Sequence, residues 1–156
     1  MTDHPFAMHL RTQLEFFNRA TACFTEEDSG FAPQPGMLPV AAQVAHVAHT
    51  VDWFMHGAFS STGFDMDFAQ HEVEVRQVTS LALARTRVAD AYARAGATLE
   101  SLSRAALEQP IAAGPIMGGA PRLALVSALN DHTAHHRGAL AVYARLCGRV
   151  PAMPYA

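Results

Sequence analysis

Apolar residues recur at spacings of three and four along most of the chain, which is the period of helices that bury one face. Stretches rich in proline and glycine separate four such segments, with the boundaries His4–Phe24, Pro39 to residue 59, Thr79–Ser103 and Pro121–Gly148. Residues 60–78 carry no convincing helical stripe, and we expect them to form a crossover over the surface. The pattern therefore predicts an all-α fold, a four-helix bundle with a long crossover between its second and third helices.

Three residue types mark the ends of these predicted helices. Pro39 suits the first residue of a helix, where its missing N–H costs no hydrogen bond. Thr79 suits an N-cap, because its side chain can accept a hydrogen bond from an unpaired backbone N–H. Gly148 is the glycine expected just beyond a helix C-terminus, and the tail VPAMPYA cannot continue that helix.

Length and composition indicate one globular domain over residues 1–156. A chain of 156 residues, 50% apolar and 16% charged, can bury one core but is too short for two ordinary domains. Its net charge of -3 disfavours nucleic acid and acidic membrane surfaces as partners. No apolar run approaches the roughly 20 residues of a spanning helix, and no signal peptide is recognisable. We therefore expect a cytoplasmic protein in which Cys23 and Cys147 are reduced.

Nine histidines stand beside eleven arginines and no lysine, and two of these histidines have the spacing of metal ligands. His132 and His136 lie in the apolar stripe of the fourth predicted helix. This stripe begins at Leu125 and ends at Cys147. Residues four apart differ by about 40° around a helix and about 6 Å along it, so both imidazoles can reach one point. Because neutral imidazole binds zinc, nickel, copper and iron, the pair indicates a divalent metal ion.

A third ligand is expected from a facing helix, because catalytic zinc sites usually have three protein ligands and one open position. The candidates are His46, His49 and His56 in the second predicted helix and His71 in the crossover. His46 is flanked by the apolar residues Val44 and Val47, and His49 shares its stripe and is the main alternative.

The residues around the histidine pair refine the prediction. Asp131 could accept a hydrogen bond from a ligating imidazole, or it could simply face solvent. His135 is interpreted as a neighbour of the site or a surface residue. Thr133 stands where the HExxH motif of zinc proteases has its catalytic glutamate, which excludes that chemistry.

Longer segments of the chain resemble a known family. The segment DHTAHHRGALAVYARLCGRVPAMPY is similar to the last helix, with its HxxxHRG motif, of the DinB-like family of metal-binding four-helix bundles. The segment VAAQVAHVAHTVDWF resembles the family's second helix, and FDMDF and GPIMGGAPR extend the similarity over most of the chain. The resemblance implies metal binding by His46, His132 and His136 and does not require His49. It also implies a thiol S-transferase or thiol-dependent isomerase that uses bacillithiol, mycothiol or glutathione.

Together these expectations describe a metal-dependent enzyme that acts on a small molecule. Zinc or nickel would activate a low-molecular-weight thiol for addition to an electrophile or for isomerisation of an unsaturated acid. Arg122 could hold a substrate carboxylate, and Trp53 and Tyr143 could form a pocket wall or part of the core.

Two other classes of function stay open at this point. The first is a structural or sensory metal-binding homodimer, with Phe16, Phe17 and the PAMPY tail at its interface. The second is a ligand-binding bundle that holds no metal.

Overall fold

Six α-helices account for most of residues 5–156, which are the residues that this computed structural model describes. Their bounds are α1 Pro5–Thr21, α2 Val40–Phe59, α3 Phe68–Arg76, α4 Leu81–Ser101, α5 Arg104–Glu108 and α6 Leu125–Leu146. Within this range there is no β-strand, and the only bridge of that type joins Pro110 to Pro121. The all-α prediction is confirmed, although its first predicted helical residue, His4, lies outside the described residues.

The four long helices α1, α2, α4 and α6 correspond to the four predicted segments. α1 and α2 each contact both α4 and α6, so the core lies among all four. The predicted inward stripe of α4 is buried along its whole length, from Leu81 through Val88 to Leu99. α2 is buried on more than one side, since Ala41, Ala45 and Ala48 are covered as well as the valines.

The crossover contains a helix, α3, that the apolar pattern did not predict. Val75 is its one buried residue, so there is no apolar stripe to detect. The side chain of Asp67 caps the helix by accepting a hydrogen bond from the backbone N–H of Gln70 at 3.0 Å. An ion pair between Arg76 and Glu72, four residues apart, supports the helix at 2.8 Å. Local polar contacts, rather than hydrophobic burial, therefore define α3.

Several helix ends differ from the prediction by a few residues. Ser80 rather than Thr79 caps α4, and its hydroxyl accepts a hydrogen bond from Leu83 N–H. α4 ends at Ser101, and Ser103 caps the separate short helix α5. Gly148 follows α6 as predicted, with a φ of 73° that a residue with a side chain rarely adopts.

None of the helices within residues 5–156 combines the length and the apolar composition needed to cross a bilayer. Cys23 and Cys147 are free thiols, and burial raises the pKa of each. Raised thiol pKa values agree with the expectation that neither cysteine is a reactive nucleophile. The single domain over residues 1–156 stays a prediction.

Candidate metal centre

Helices α2 and α6 bring the imidazoles of His46, His132 and His136 together. One nitrogen from each ring can be chosen so that all three lie within 4.8 Å of one another. The ring centroids are 4.5 Å apart for His132 and His136, and 4.7 and 5.1 Å apart for their pairs with His46. Each side chain is half-buried, so the cluster is open to small molecules on one side.

This meeting follows from where the histidines lie on their helices. His132 and His136 are one turn apart in a stripe whose other members, Leu129 and Leu140, are fully buried against the core. The stripe therefore turns both imidazoles towards α2, which packs against α6. His46 lies on α2 between the buried residues Ala45 and Val47, and its side chain extends to the same point.

Burial keeps these three imidazoles neutral. Burial first, and then repulsion from the neighbouring rings, lowers the pKa of His132 to about 4 and that of His136 to about 3. The pKa of His46 is lowered for the same reasons, burial first and then the charges of His49 and His135. Since metal ions bind the unprotonated ring, all three histidines are in the ligating form at neutral pH.

The separation of the nitrogens also suits a metal ion. Nε2 of His132 lies 3.2 Å from Nε2 of His46, and neither ring has another hydrogen-bond partner among residues 5–156. Two nitrogens bound to one tetrahedral zinc ion at about 2.0–2.1 Å are roughly 3.3 Å apart. The donor set and spacing therefore fit a divalent ion held by three neutral imidazoles.

Gln43, one turn before His46, contacts the third imidazole. Its side-chain nitrogen lies 3.2 Å from Nδ1 of His136, while its side-chain oxygen is buried without a partner. The amide turned by 180° places that oxygen against an Nδ1–H, which leaves Nε2 of His136 free to bind an ion. Gln43 thus fixes the ring of His136 in a way that suits ligation. The sequence reasoning missed this residue, although its position three residues before His46 could have indicated it.

The other residues predicted near the centre have separate surroundings. His49 is directed away from the cluster, with Nε2 3.5 Å from Glu74 and its ring 4.8 Å from that of His71. His135 is exposed and touches His136 edge to face, at 4.9 Å between centroids. Asp131 is exposed and makes no hydrogen bond or ion pair with residues 5–156, so it does not support a ligating ring.

Thr133 is held away from the cluster. It is buried, and its hydroxyl is 2.7 Å from the phenol oxygen of Tyr92 on α4. Burial raises the pKa of Tyr92 to about 12, so this phenol stays protonated. In this chain, the position that carries the catalytic glutamate in HExxH helices is therefore a buried core residue.

A cavity of about 400 Å³ opens beside the histidine cluster. His46 and His132 form part of its wall, as do His49 and His71, and Trp53 lies in the apolar part of the wall. Other lining residues went unnoticed in the sequence because they read as ordinary helix or loop residues: Leu38, Thr50, Phe54, Phe68, Glu72 and Val75.

Two residues predicted to bind substrate lie outside this cavity. The guanidinium of Arg122 donates to the carbonyl oxygens of Ala58 and Ala106 and lies 5.1 Å from the centre of the Phe59 ring. The hydroxyl of Tyr143 donates to the carbonyl oxygen of Leu38 at 3.3 Å, and its ring is buried. The structure assigns both side chains to packing around the site rather than to the cavity wall.

Comparison with known families agrees with this architecture. The sequence profile of the DinB superfamily matches residues 9–140, which include α2, the crossover and the two candidate ligands of α6, His132 and His136. The chain belongs to the DinB superfamily. Among curated proteins, no sequence matches this DinB-superfamily chain. The family assignment drawn from the HxxxHRG motif is therefore confirmed, and the reaction has to be argued from the site.

Proposed function

We propose that this DinB-superfamily protein is a metal-dependent enzyme that activates a low-molecular-weight thiol for transfer to an electrophile. The observation that carries the proposal is the convergence of three neutral imidazoles at the wall of a cavity large enough for a small molecule. In this proposal His46, His132 and His136 hold a divalent ion, zinc or nickel, and Gln43 orients His136.

Three neutral ligands leave a divalent ion with its full charge, and such an ion would lower the pKa of a bound thiol towards neutrality. The protein residues would supply the rest of the site. Trp53 and Phe54 hold the electrophile beside the centre, and the apolar wall limits access of competing water. The sulfur then forms the new bond to the electrophilic carbon, which expels its leaving group, while the thiol proton passes to solvent.

A thiol-transfer assay on protein of known metal content tests this function. Bacillithiol, mycothiol and glutathione would each be offered with chlorodinitrobenzene, a neutral aromatic electrophile whose thioether product absorbs in the near ultraviolet. We expect turnover with at least one thiol, and its loss both after chelation and in His132→Ala. His135→Ala is the matched control, since this exposed neighbour should leave turnover unchanged. Absence of turnover with all three thiols in the metal-loaded protein would contradict the proposal.

A non-catalytic homodimer is the second candidate, and an apolar surface favours it. Val142 and Leu146 on α6 are 56% and 60% exposed, and Val150 and Met153 in the tail are 85% and 64% exposed. Phe17, which was predicted to lie at the interface, is instead buried in the core. In that case the same three histidines would bind metal without turnover, in a sensory or stress-response role. Sedimentation of wild type and of Leu146→Glu shows whether the protein is a monomer or a dimer. The homodimer candidate requires that wild type is a dimer and that the substitution dissociates it.

A further inference from the structure

We propose that the cavity beside the three histidines takes a neutral, ring-bearing apolar molecule and discriminates against anions. The inference rests on the proposed function, because it names the chemical class of the electrophile. Four aspects of the cavity lead to it: its apolar wall, the state of its polar groups, the charges at its rim and its volume.

The wall of the cavity is built from rings and aliphatic side chains. The ring of Trp53 lies edge to face with Phe54 at 5.0 Å and is tilted against Phe68 at 6.0 Å, measured between ring centroids, and all three residues line the cavity. Leu38 and Val75 complete the apolar part of the wall. Aromatic walls of this kind favour flat rings, which can lie against them in offset or edge-to-face contact.

Most polar groups of the lining already have partners within the protein. The indole N–H of Trp53 donates to the carbonyl oxygen of Asp65 at 2.7 Å, and Nε2 of His71 lies 3.1 Å from the Asp65 carboxylate. Thr50 is different: it is 7% exposed and lines the cavity, and its side-chain hydroxyl makes no hydrogen bond to residues 5–156. Its hydroxyl is therefore one neutral group available to a carbonyl, nitro or hydroxyl group of a ligand.

The charges around the cavity disfavour an anionic ligand. The lining contains no arginine, the chain has no lysine, and carboxylates of Asp65, Glu72 and Glu74 lie on the crossover side. The guanidinium of Arg76, on the same helix as Glu72 and Glu74, is engaged by Glu72 and by the carbonyl oxygen of Gly36. Arg87 and Arg94 lie beside Glu74 in a separate hollow and are not part of this cavity wall. In the metal-free protein, a carboxylate or sulfonate entering this apolar space would lose its hydration without gaining a cation, which is strongly unfavourable.

The volume sets the size of the ligand. A cavity of about 400 Å³ lies at the small end of the range for ligand pockets, and it suits a molecule of two or three rings. Arg122, the residue predicted to hold a substrate carboxylate, is not part of the wall of this cavity.

A matched pair of fluorescent probes tests the inference. N-phenylnaphthylamine and anilinonaphthalenesulfonate share one ring system and differ in the sulfonate. Trp53 is the sole tryptophan of the chain and lines the cavity, so energy transfer from its emission reports a probe bound nearby. We expect the neutral probe to quench Trp53 saturably and to bind at least about tenfold more tightly than the anion, a difference of about 1.4 kcal/mol. Equal or tighter binding of the anionic probe would overturn the proposal.

Two alanine variants on α3 show whether the probe occupies this cavity. Phe68 lines it and is 52% exposed, whereas Val73 on the same helix is 51% exposed and does not line it. We expect Phe68→Ala to weaken binding of the neutral probe severalfold and Val73→Ala to leave it unchanged. Since both positions are half exposed, both variants should fold, which circular dichroism checks. Equal affinities for the two variants would place the probe elsewhere and contradict the inference.

The same titration separates this inference from the proposed function. The neutral probe has no group that needs a metal, so its affinity is measured both with zinc present and after chelation. Preference for the neutral probe in a protein that binds no zinc would leave the cavity assignment standing and remove the metal-dependent reaction. If the protein binds zinc but does not prefer the neutral probe, the inference about the cavity is contradicted and the metal-dependent function still stands.

Discussion

At the scale of single residues, the candidate centre depends on what holds each imidazole in place. His132 and His46 face one another through their Nε2 atoms, whereas His136 is held by the amide of Gln43. A hydrogen bond to the second ring nitrogen of a ligating histidine selects the tautomer and the orientation that bind the ion. Gln43 is therefore a positioning residue, and its loss should lower the affinity of the centre for a metal ion.

Gln43→Leu should lower the affinity for zinc by about 10- to 100-fold, because His136 would no longer be held in its ligating tautomer. Competition with a chromophoric chelator measures this affinity directly. Gln13→Leu is the matched control: Gln13 is also a buried glutamine, and both polar atoms of its side chain lack partners. Equal zinc affinities for the two variants would contradict a positioning role for Gln43.

The lowered pKa values of the histidines predict an acid-sensitive apoprotein. His132 and His136 have pKa values of about 4 and about 3 in the folded chain, against roughly 6.5 when unfolded. Between these values the unfolded chain binds more protons, so the free energy of unfolding should fall as the pH drops from about 6.5 to about 4. Urea unfolding of metal-free protein across this range measures the slope.

The double variant His132→Phe, His136→Phe supplies the comparison for this pH dependence. Phenylalanine fills most of the same space without a titrating group, so the slope should become shallower. A wild-type slope that is flat, or that persists in the double variant, would show that these imidazoles are not buried in the neutral form.

At the scale of secondary-structure elements, loss of a helix cap should have different effects in a peripheral helix and in a core helix. Asp67 caps α3, which buries only Val75, whereas Ser80 caps α4, whose inward stripe is entirely buried. Ser80→Ala should lower the free energy of unfolding by about 1 kcal/mol, because α4 folds with the core. Asp67→Ala should change it little and instead raise amide hydrogen exchange within residues 68–76. A large loss of global stability in Asp67→Ala would show that α3 folds with the core.

The long helices could be predicted from the sequence because each buries a continuous apolar stripe. α3 and α5 could not be, since they are short and rely on caps and ion pairs that leave no periodic pattern. His132 and His136 were predictable as a pair because helical spacing alone brings them together. The choice between His46 and His49 was not decided by periodicity, because both share one stripe and only packing of α2 against α6 separates them.

At the scale of the whole molecule, α2 connects the two halves of the candidate site. Its first turns carry Gln43 and His46 of the candidate metal centre. Its later turns carry Thr50, Trp53 and Phe54 along the cavity wall. The crossover helix α3 closes the other side of that cavity with Phe68 and Val75. Which side chains line this space depends on how α3 sits on α2, and no sequence pattern encodes that relation.

The most direct test of the central claim is the amount of divalent metal bound per chain, measured on wild type, His132→Ala and His135→Ala. Elemental analysis after loading with zinc and gel filtration gives this number, and the absorption spectrum of the cobalt form reports the ligand geometry. We predict one ion per chain in wild type and in His135→Ala, and its loss from His132→Ala with the fold retained. Unchanged metal content in His132→Ala, or no bound ion in wild type, would contradict the three-histidine centre.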